Sequence, residues 1–425
     1  MAVQSEYEEI KSRIHRYLIA KTDFLKVKDG MNEDQLRLFV DRAIGNLCQE
    51  TDFKISFEDR TRLIRELTSA VVSLGPIRQL MEDKDVTEIM INGFKQVYYQ
   101  KAGRIHLTDI KFDDNAHLMH TIQKIIAASG SNRRVDESQP YVDFSMPDGS
   151  RVNIIIPPCA LVGPVMTVRK FSRDISTIDH LIELGTMNKA MANFLIAGIK
   201  AKLNIVFCGA TGSGKTTLLN VLSRHIPNEE RIITIEDTAE IRLLQEHVVN
   251  LQTKAANIEG RGIITIRDLF VNSLRMRPDR IIVGEVRGEE ILDMIQSVSS
   301  GHSGTLAIVH ADSPEECFNR MLTMMLMSGI RLSTDQIRRQ IATSIDLIVY
   351  AELFMDGVRR IVNITDLRFD RQQDRVSLDD IFTFKQNHVG EDNSVHGEWV
   401  MNRKLPSFAD KFVKRNIRLP AEFAP

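Results

Sequence analysis

A chain of 425 residues is too long for one small module, and at roughly 150 residues per domain it accommodates about three. Its 55 basic and 57 acidic side chains leave a formal charge of −2, which offers no general attraction to nucleic acid, and 43% hydrophobic with 26% charged residues excludes a disordered chain. The N-terminus is charged throughout and lacks an apolar signal region, and the most apolar stretch, 154–168, is broken by Pro157, Pro158 and Pro164, so neither export nor a transmembrane span is expected and the cytosol is the expected compartment.

From Tyr7 to Leu74 apolar residues recur at helical spacing, as in Ile10, Ile14, Leu18 and Leu36, Val40, Ile44, Leu47, which predicts a small helical bundle over 1–75. Ser56-Phe57-Glu58-Asp59 reads as a helix start and Gly75-Pro76 as a stop. Residues 76–171 predict an α+β domain, with strands at Val86–Ile91, Gln96–Gln100, Arg104–Leu107 and Arg151–Ile156 and a helix at Asn115–Ser129. A polar stretch, 172–188, reads as a linker.

In 189–425 the apolar, β-branched runs Leu203–Cys208, Arg231–Ile235, Ile281–Val283 and Thr305–Val309 predict buried parallel strands joined by helices, an α/β fold. A β-ribbon with a turn at Asp356-Gly357 is expected after Asp346, then a short helix at Ser407–Arg415. Met321, Met324, Met325 and Met327 suit a helix core or an adaptable docking face. Cys48, Cys159, Cys208 and Cys317 are too scattered for zinc or a disulfide frame and predict buried thiols.

The octet Gly209-Ala210-Thr211-Gly212-Ser213-Gly214-Lys215-Thr216 fits G-x-x-x-x-G-K-[ST], between a strand and a helix. Its glycines allow consecutive backbone N–H groups to form an anion nest at the positive end of a helix. A triphosphate is the natural occupant, with Lys215 reaching its β- and γ-phosphates, Thr216 ligating Mg²⁺ and Thr217 close to the α-phosphate.

Ligands of an open parallel sheet sit beyond the carboxyl ends of its strands, so Glu236-Asp237, Glu285 and His310 join the loop as candidates. Glu285 follows the run IIVG and could activate the attacking water. Its rival Asp279 opens the same strand, about 20 Å away. Glu236 and Asp237 could act through Mg²⁺ and water, or only cap a helix; His302 and His310 are each a core histidine or a functional one.

Together these stretches resemble one family. LRMRPDRIIVGEVR (Leu274 to Arg287) resembles the signature of the secretion and pilus motor ATPases, with Gly288 in place of the final Asp; Ile233 to Ile241 resembles their Asp box and Gly301 to Asp312 their His box. VTEIMING, RRVDESQPYVDFSMPDGSRVNIIIPP and ANIEGRGIITIRDL narrow the likeness to the CpaF branch of tight-adherence (Tad) pili, within the GspE-like type II/type IV secretion superfamily.

That resemblance implies a RecA-like P-loop ATPase domain, a cytoplasmic homohexamer using ATP and Mg²⁺, and partners in an inner-membrane pilus platform, with filament assembly as output and retraction left open. It also implies that Glu285 is catalytic, that Glu236 serves the Mg²⁺, that His310 senses the γ-phosphate, that Arg151 and Arg169 reach the phosphates, and that Arg277 is offered to a neighbouring subunit, with Arg133, Arg134 and Arg275 as further candidates. A DNA motor, marked by stimulation with DNA, and a nucleotide-gated assembly module without turnover remain the alternatives.

Overall fold

The structure is a computed structural model that describes residues 37–42, 44–46, 59–61, 63–64, 75–101, 103–129, 134–170, 177–254, 261–420 and 423. The chain forms two compact units, Met1–Ser172 and Arg173–Pro425. Of the bundle expected over 1–75, helical turns are described within 37–46 and 59–64, where Val40, Ile44 and Leu63 are buried; the rest of that expectation lies outside the described residues.

In the first unit, α1 (Arg78–Glu82) leads into β1 (Val86–Asn92), β2 (Gln96–Lys101) and β3 (Arg104–Leu107), then α2 (Asn115–Ala128), β4 (Tyr141–Ser145), β5 (Arg151–Ile155) and β6 (Val165–Arg169). Asp114 starts α2 by accepting the amide of His117 at 2.7 Å. Leu118, Ile122, Ile125 and Ile126, at helical spacing, then pack on Ile89, Ile91, Val152, Ile154 and Val168 from one face of the sheet. The sheet is antiparallel in the order β3-β2-β1-β6-β5-β4, and its register sets Arg151 directly opposite Arg169.

The second unit begins with α3 (Ile178–Glu183) and α4 (Lys189–Lys200), followed by β7 (Ile205–Cys208), α5 (Lys215–Ser223), β8 (Ile232–Glu236), β9 (Val248–Gln252), α6 (Ile266–Ser273), β10 (Arg280–Val283), α7 (Glu290–Ser299), β11 (Leu306–Val309), α8 (Pro314–Met327) and α9 (Thr334–Ser344). β12 (Leu347–Leu353), β13 (Arg359–Asp370), β14 (Arg375–Val389), β15 (Val395–Met401) and α10 (Ala409–Lys414) complete it. The sheet order is β15-β14-β13-β12-β7-β11-β10-β8-β9, parallel from β12 to β9 and antiparallel from β12 to β15. This is the expected RecA-like α/β arrangement.

Every residue of β7, β10 and β11 is buried, because helices cover both faces: Ile205 and Phe207 face one core with α4 and α5, while Val206 and Cys208 face the other with α7 and α8.

β12 opens the expected ribbon, pairing antiparallel with β13 across the turn at Asp356-Gly357, and is at the same time a parallel neighbour of β7; its residues 347–351 are buried without alternation, as an internal strand requires. Two expectations need correction. The stretch expected to be a linker carries α3, and Leu181 and Met187 are buried in the second unit's core. Cys159 is exposed on the β5–β6 loop, whereas Cys208 and Cys317 are buried as expected and Cys48 lies outside the described residues. The methionines divide: Met321, Met324 and Met325 are core, and only Met327 of the set is exposed.

Two buried polar groups pin the amino ends of the strands. The Asn204 side-chain Oδ1 accepts the amides of Gly304 (2.7 Å) and Thr305 (3.0 Å), its Nδ2 donates to Ser344 O (2.8 Å), and its backbone amide donates to Asp346 Oδ2 (2.8 Å). Burial pushes the Asp346 carboxyl up, opposed by Lys411, whose Nζ lies 2.7 Å from both carboxylate oxygens.

Arg280, with a side chain 0% exposed, donates Nε to Glu230 Oε2 (2.9 Å) and Nη2 to Ile199 O (3.1 Å). Removing one partner of a buried pair strands a charge. Glu230→Ala is therefore expected to cost about 3–5 kcal/mol, read as a lowered urea midpoint.

Candidate functional site

β7 carries the buried Cys208 to the carboxyl edge of the sheet, and the phosphate loop starts at the next residue. Gly209 has φ +152°, and a Cβ there would lie 2.2 Å from Ala351 O and 2.4 Å from Ser213 Oγ. Gly212 (φ +82°) and Gly214 (φ +91°) take the left-handed backbone that glycine adopts without strain. Gly214 is also the N-cap of α5 and supplies no side-chain cap, so the first amides of that helix are left for an anion.

Lys215 is buried, and its Nζ donates to Ala210 O at 2.7 Å. The buried Ser213 Oγ has no hydrogen-bond partner among the described residues. Ala210, Thr211 and Thr217 are exposed around the loop. An orphaned hydroxyl and a lysine resting on a loop carbonyl suit a polyanion that takes over both.

Glu285 lies two residues past β10. Its Oε1 is 3.2 Å from His310 Nε2, just past β11, and its Oε2 is 2.5 Å from Arg287 Nη2; Arg287 Nη1 lies 3.8 Å from Asp237 Oδ2, just past β8. Burial alone would raise the Glu285 carboxyl, but Arg287, then His310 and Lys215, outweigh it and hold the group below the usual carboxylate range. Burial, together with the charge of Lys215, pushes the His310 imidazole below its ordinary value despite the attraction of Glu285. At neutral pH the cluster thus holds an ionised Glu285 and a neutral His310.

The two glutamates of the Asp-box segment are placed differently. Glu236 is buried at the end of β8, where its Oε1 accepts the amides of Glu240 (2.8 Å) and Ile241 (2.9 Å). That bend returns Glu240 to the loop, with Oε2 3.4 Å from Thr216 Oγ1. Glu240 was not a candidate from sequence; the signal available was its spacing of four from a buried glutamate that folds the chain back. The Thr216 hydroxyl and a nearby carboxylate are hard oxygen donors of the kind Mg²⁺ takes beside substrate phosphates.

The remaining candidates lie elsewhere. Arg277, exposed at φ +54°, precedes β10 and so sits toward the opposite edge of the sheet, as does Asp279, whose Oδ2 accepts the Arg231 amide at 2.9 Å. His302 precedes β11 on that far edge and lines a cavity of about 330 Å³ with Lys202, Asp279 and Arg415, so only His310 of the two histidines joins the site. Arg275 and Arg134 are exposed, and Arg133 lies outside the described residues. Arg151 and Arg169 stand side by side on β5 and β6 of the first unit. Arg359, also not anticipated from sequence, donates Nε to Gly212 O at 2.8 Å.

Residues 70–373 match the family described as Type II/IV secretion system protein. The type IV secretion system protein VirB11 of Bartonella quintana is 30% identical over 330 residues, covering 68% of this chain and 90% of that protein. The VirB11 protein of Agrobacterium fabrum is 30% identical over 310 residues, covering 65% and 88%. The crystal structure of the VirB11 ATPase from the Brucella suis type IV secretion system, in complex with sulphate, is 28% identical, covers 71% of this chain and 95% of that one, and has a TM-score of 0.38. With a family match across most of its length and a relative at this identity and coverage, the chain belongs to the Type II/IV secretion system protein family.

Proposed function

We propose that the chain is a motor ATPase of a secretion or pilus machine, and that the edge bearing the phosphate loop is where it hydrolyses ATP. The observation that carries this reading is the placement of Glu285 between His310 and Arg287, on the same strand edge as Lys215 and Thr216. The amides at the start of α5 bind the phosphates, and Lys215 leaves Ala210 O for the β- and γ-phosphates. Thr216 and Glu240 would hold a magnesium ion, with Glu236 setting the bend that brings Glu240 there, and the ion would supply positive charge beside the phosphates.

Glu285 orients the attacking water and accepts its proton as the γ-phosphorus bond to ADP breaks. Neutral His310 reports the γ-phosphate position to that carboxylate. By the family resemblance, Arg151 and Arg169 are further phosphate-binding candidates and Arg277 one that acts on a neighbouring protomer's nucleotide. More specifically, the motif set quoted above supports a cytoplasmic CpaF-type homohexamer that drives a Tad pilus through inner-membrane platform proteins. Among the described residues no helix is long and apolar enough to cross a membrane.

Calorimetry with Mg²⁺ and ADP tests the site directly. Uptake by the unsubstituted chain and a loss of about 100-fold or more in Lys215→Ala is the expected result; no uptake by the unsubstituted chain overturns the reading.

A further inference from the structure

β13 brings Arg359 across the outside of the phosphate loop, 147 residues along the chain from the carbonyl it meets. Nε donates to Gly212 O at 2.8 Å, and the side chain lies so close over Gly214 that a Cβ there would come within 3.0 Å of Arg359 Cδ. The guanidinium is exposed, and its Nη groups make no hydrogen bond or ion pair among the described residues.

The hairpin that presents it is stiff. Asp356 takes Arg360 through both carboxylate oxygens at 3.0 and 2.7 Å and accepts the Val358 amide at 3.0 Å, while the Arg360 guanidinium stacks over Phe354 and Phe384. These bonds hold the Asp356 carboxyl down at about 2, so the pair stays ionised across the working pH range. Arg359, next in sequence to this clamp, therefore has a fixed backbone from which to reach the loop.

We propose that Arg359 is a positioning residue for the nucleotide site: its Nε holds the Gly212 carbonyl outward and thereby keeps the left-handed turns at Gly212 and Gly214 in the shape that receives phosphate. The proposal rests on the nucleotide reading above and adds to it a contact between the β12–β13 hairpin and the loop. A loop already held in its receiving shape loses less freedom on binding, so the bond appears as nucleotide affinity.

The test exploits bond counting. Nε2 of glutamine stands as many bonds from Cα as Nε of arginine, so Arg359→Gln keeps the donor and discards the charge, whereas Arg359→Lys keeps the charge and moves the donor one bond outward. ADP affinity is measured with the full chain by calorimetry in Mg²⁺ buffer, alongside the rise in melting temperature that ADP produces.

The expected result is a loss of about tenfold in affinity for Arg359→Ala, a loss within about threefold for Arg359→Gln, and Arg359→Lys weaker than Gln. Arg359→Ala binding ADP as tightly as the unsubstituted chain overturns the proposal. So does full recovery by Lys without recovery by Gln, which would make the role one of charge, and so does a lowered ligand-free melting temperature in all variants with the ADP-induced rise intact. Failure of the unsubstituted chain to bind ADP removes the nucleotide reading together with this one, and is told apart from the other outcomes by that control alone.

Discussion

Glu285→Gln is expected to lower ATP turnover by about 10²- to 10⁴-fold while ADP affinity changes only a few-fold. The substitution is nearly isosteric, and its amide oxygen can still accept from Arg287, so the fold around β10 is preserved. What disappears is the charge and the basicity. Arg287, His310 and Lys215 already favour the ionised carboxylate, so the wild-type site enters each cycle with its base unprotonated, and the amide cannot take the proton that water must release. Steady-state phosphate release set beside calorimetric ADP binding separates the two effects. Turnover equal to wild type would favour a nucleotide-gated assembly module.

Arg277→Ala is expected to lower turnover by about 10³- to 10⁵-fold although Arg277 lies toward the edge of the sheet away from its own phosphate loop. At 1.36 kcal/mol per decade this corresponds to about 4–7 kcal/mol of transition-state stabilisation supplied from the adjacent protomer. Its exposed side chain and left-handed backbone just before Pro278 make it a presented group rather than a packed one. The decisive measurement is mixing. Arg277→Ala and Lys215→Ala are each expected to be inactive alone, whereas particles assembled from both are expected to recover part of the activity, because some interfaces would pair an intact loop with an intact arginine. Turnover by a verified monomer at the ring's rate per subunit would exclude this arrangement.

The parts of the site that could be read from the sequence are those in which chemistry is written locally. The phosphate loop is legible because glycines at fixed offsets are the mechanism itself, and Glu285 and His310 are legible because a polar residue directly after a buried strand must emerge at the ligand edge. Glu240 is not, because which of two nearby glutamates reaches Thr216 depends on a bend fixed by hydrogen bonds from the chain's own amides to Glu236. Arg359 is not, because its partner is a carbonyl far away in sequence and no periodicity signals such a contact.

For the fold, the buried strands β7, β8, β10 and β11 stand out by composition, within a residue or two of their ends. β12 has the same composition and opens the hairpin with β13 as its local pattern indicates; only its further pairing with β7 places it in the parallel sheet as well. α3 has a short, polar sequence in which Leu181 alone is fully buried, too weak a signal to distinguish from connecting chain.

The fixation of the second unit's central strand at Asn204 has a mechanical consequence. Held on one flank by the main chain before β11 and on the other by the main chain around the entry to β12, β7 cannot slip lengthwise without breaking several enclosed polar contacts at once. Its base is therefore a braced anchor for the strand whose other end opens into the phosphate loop at Gly209. A load applied to that loop meets a strand that is held against sliding, so register slip offers it no outlet.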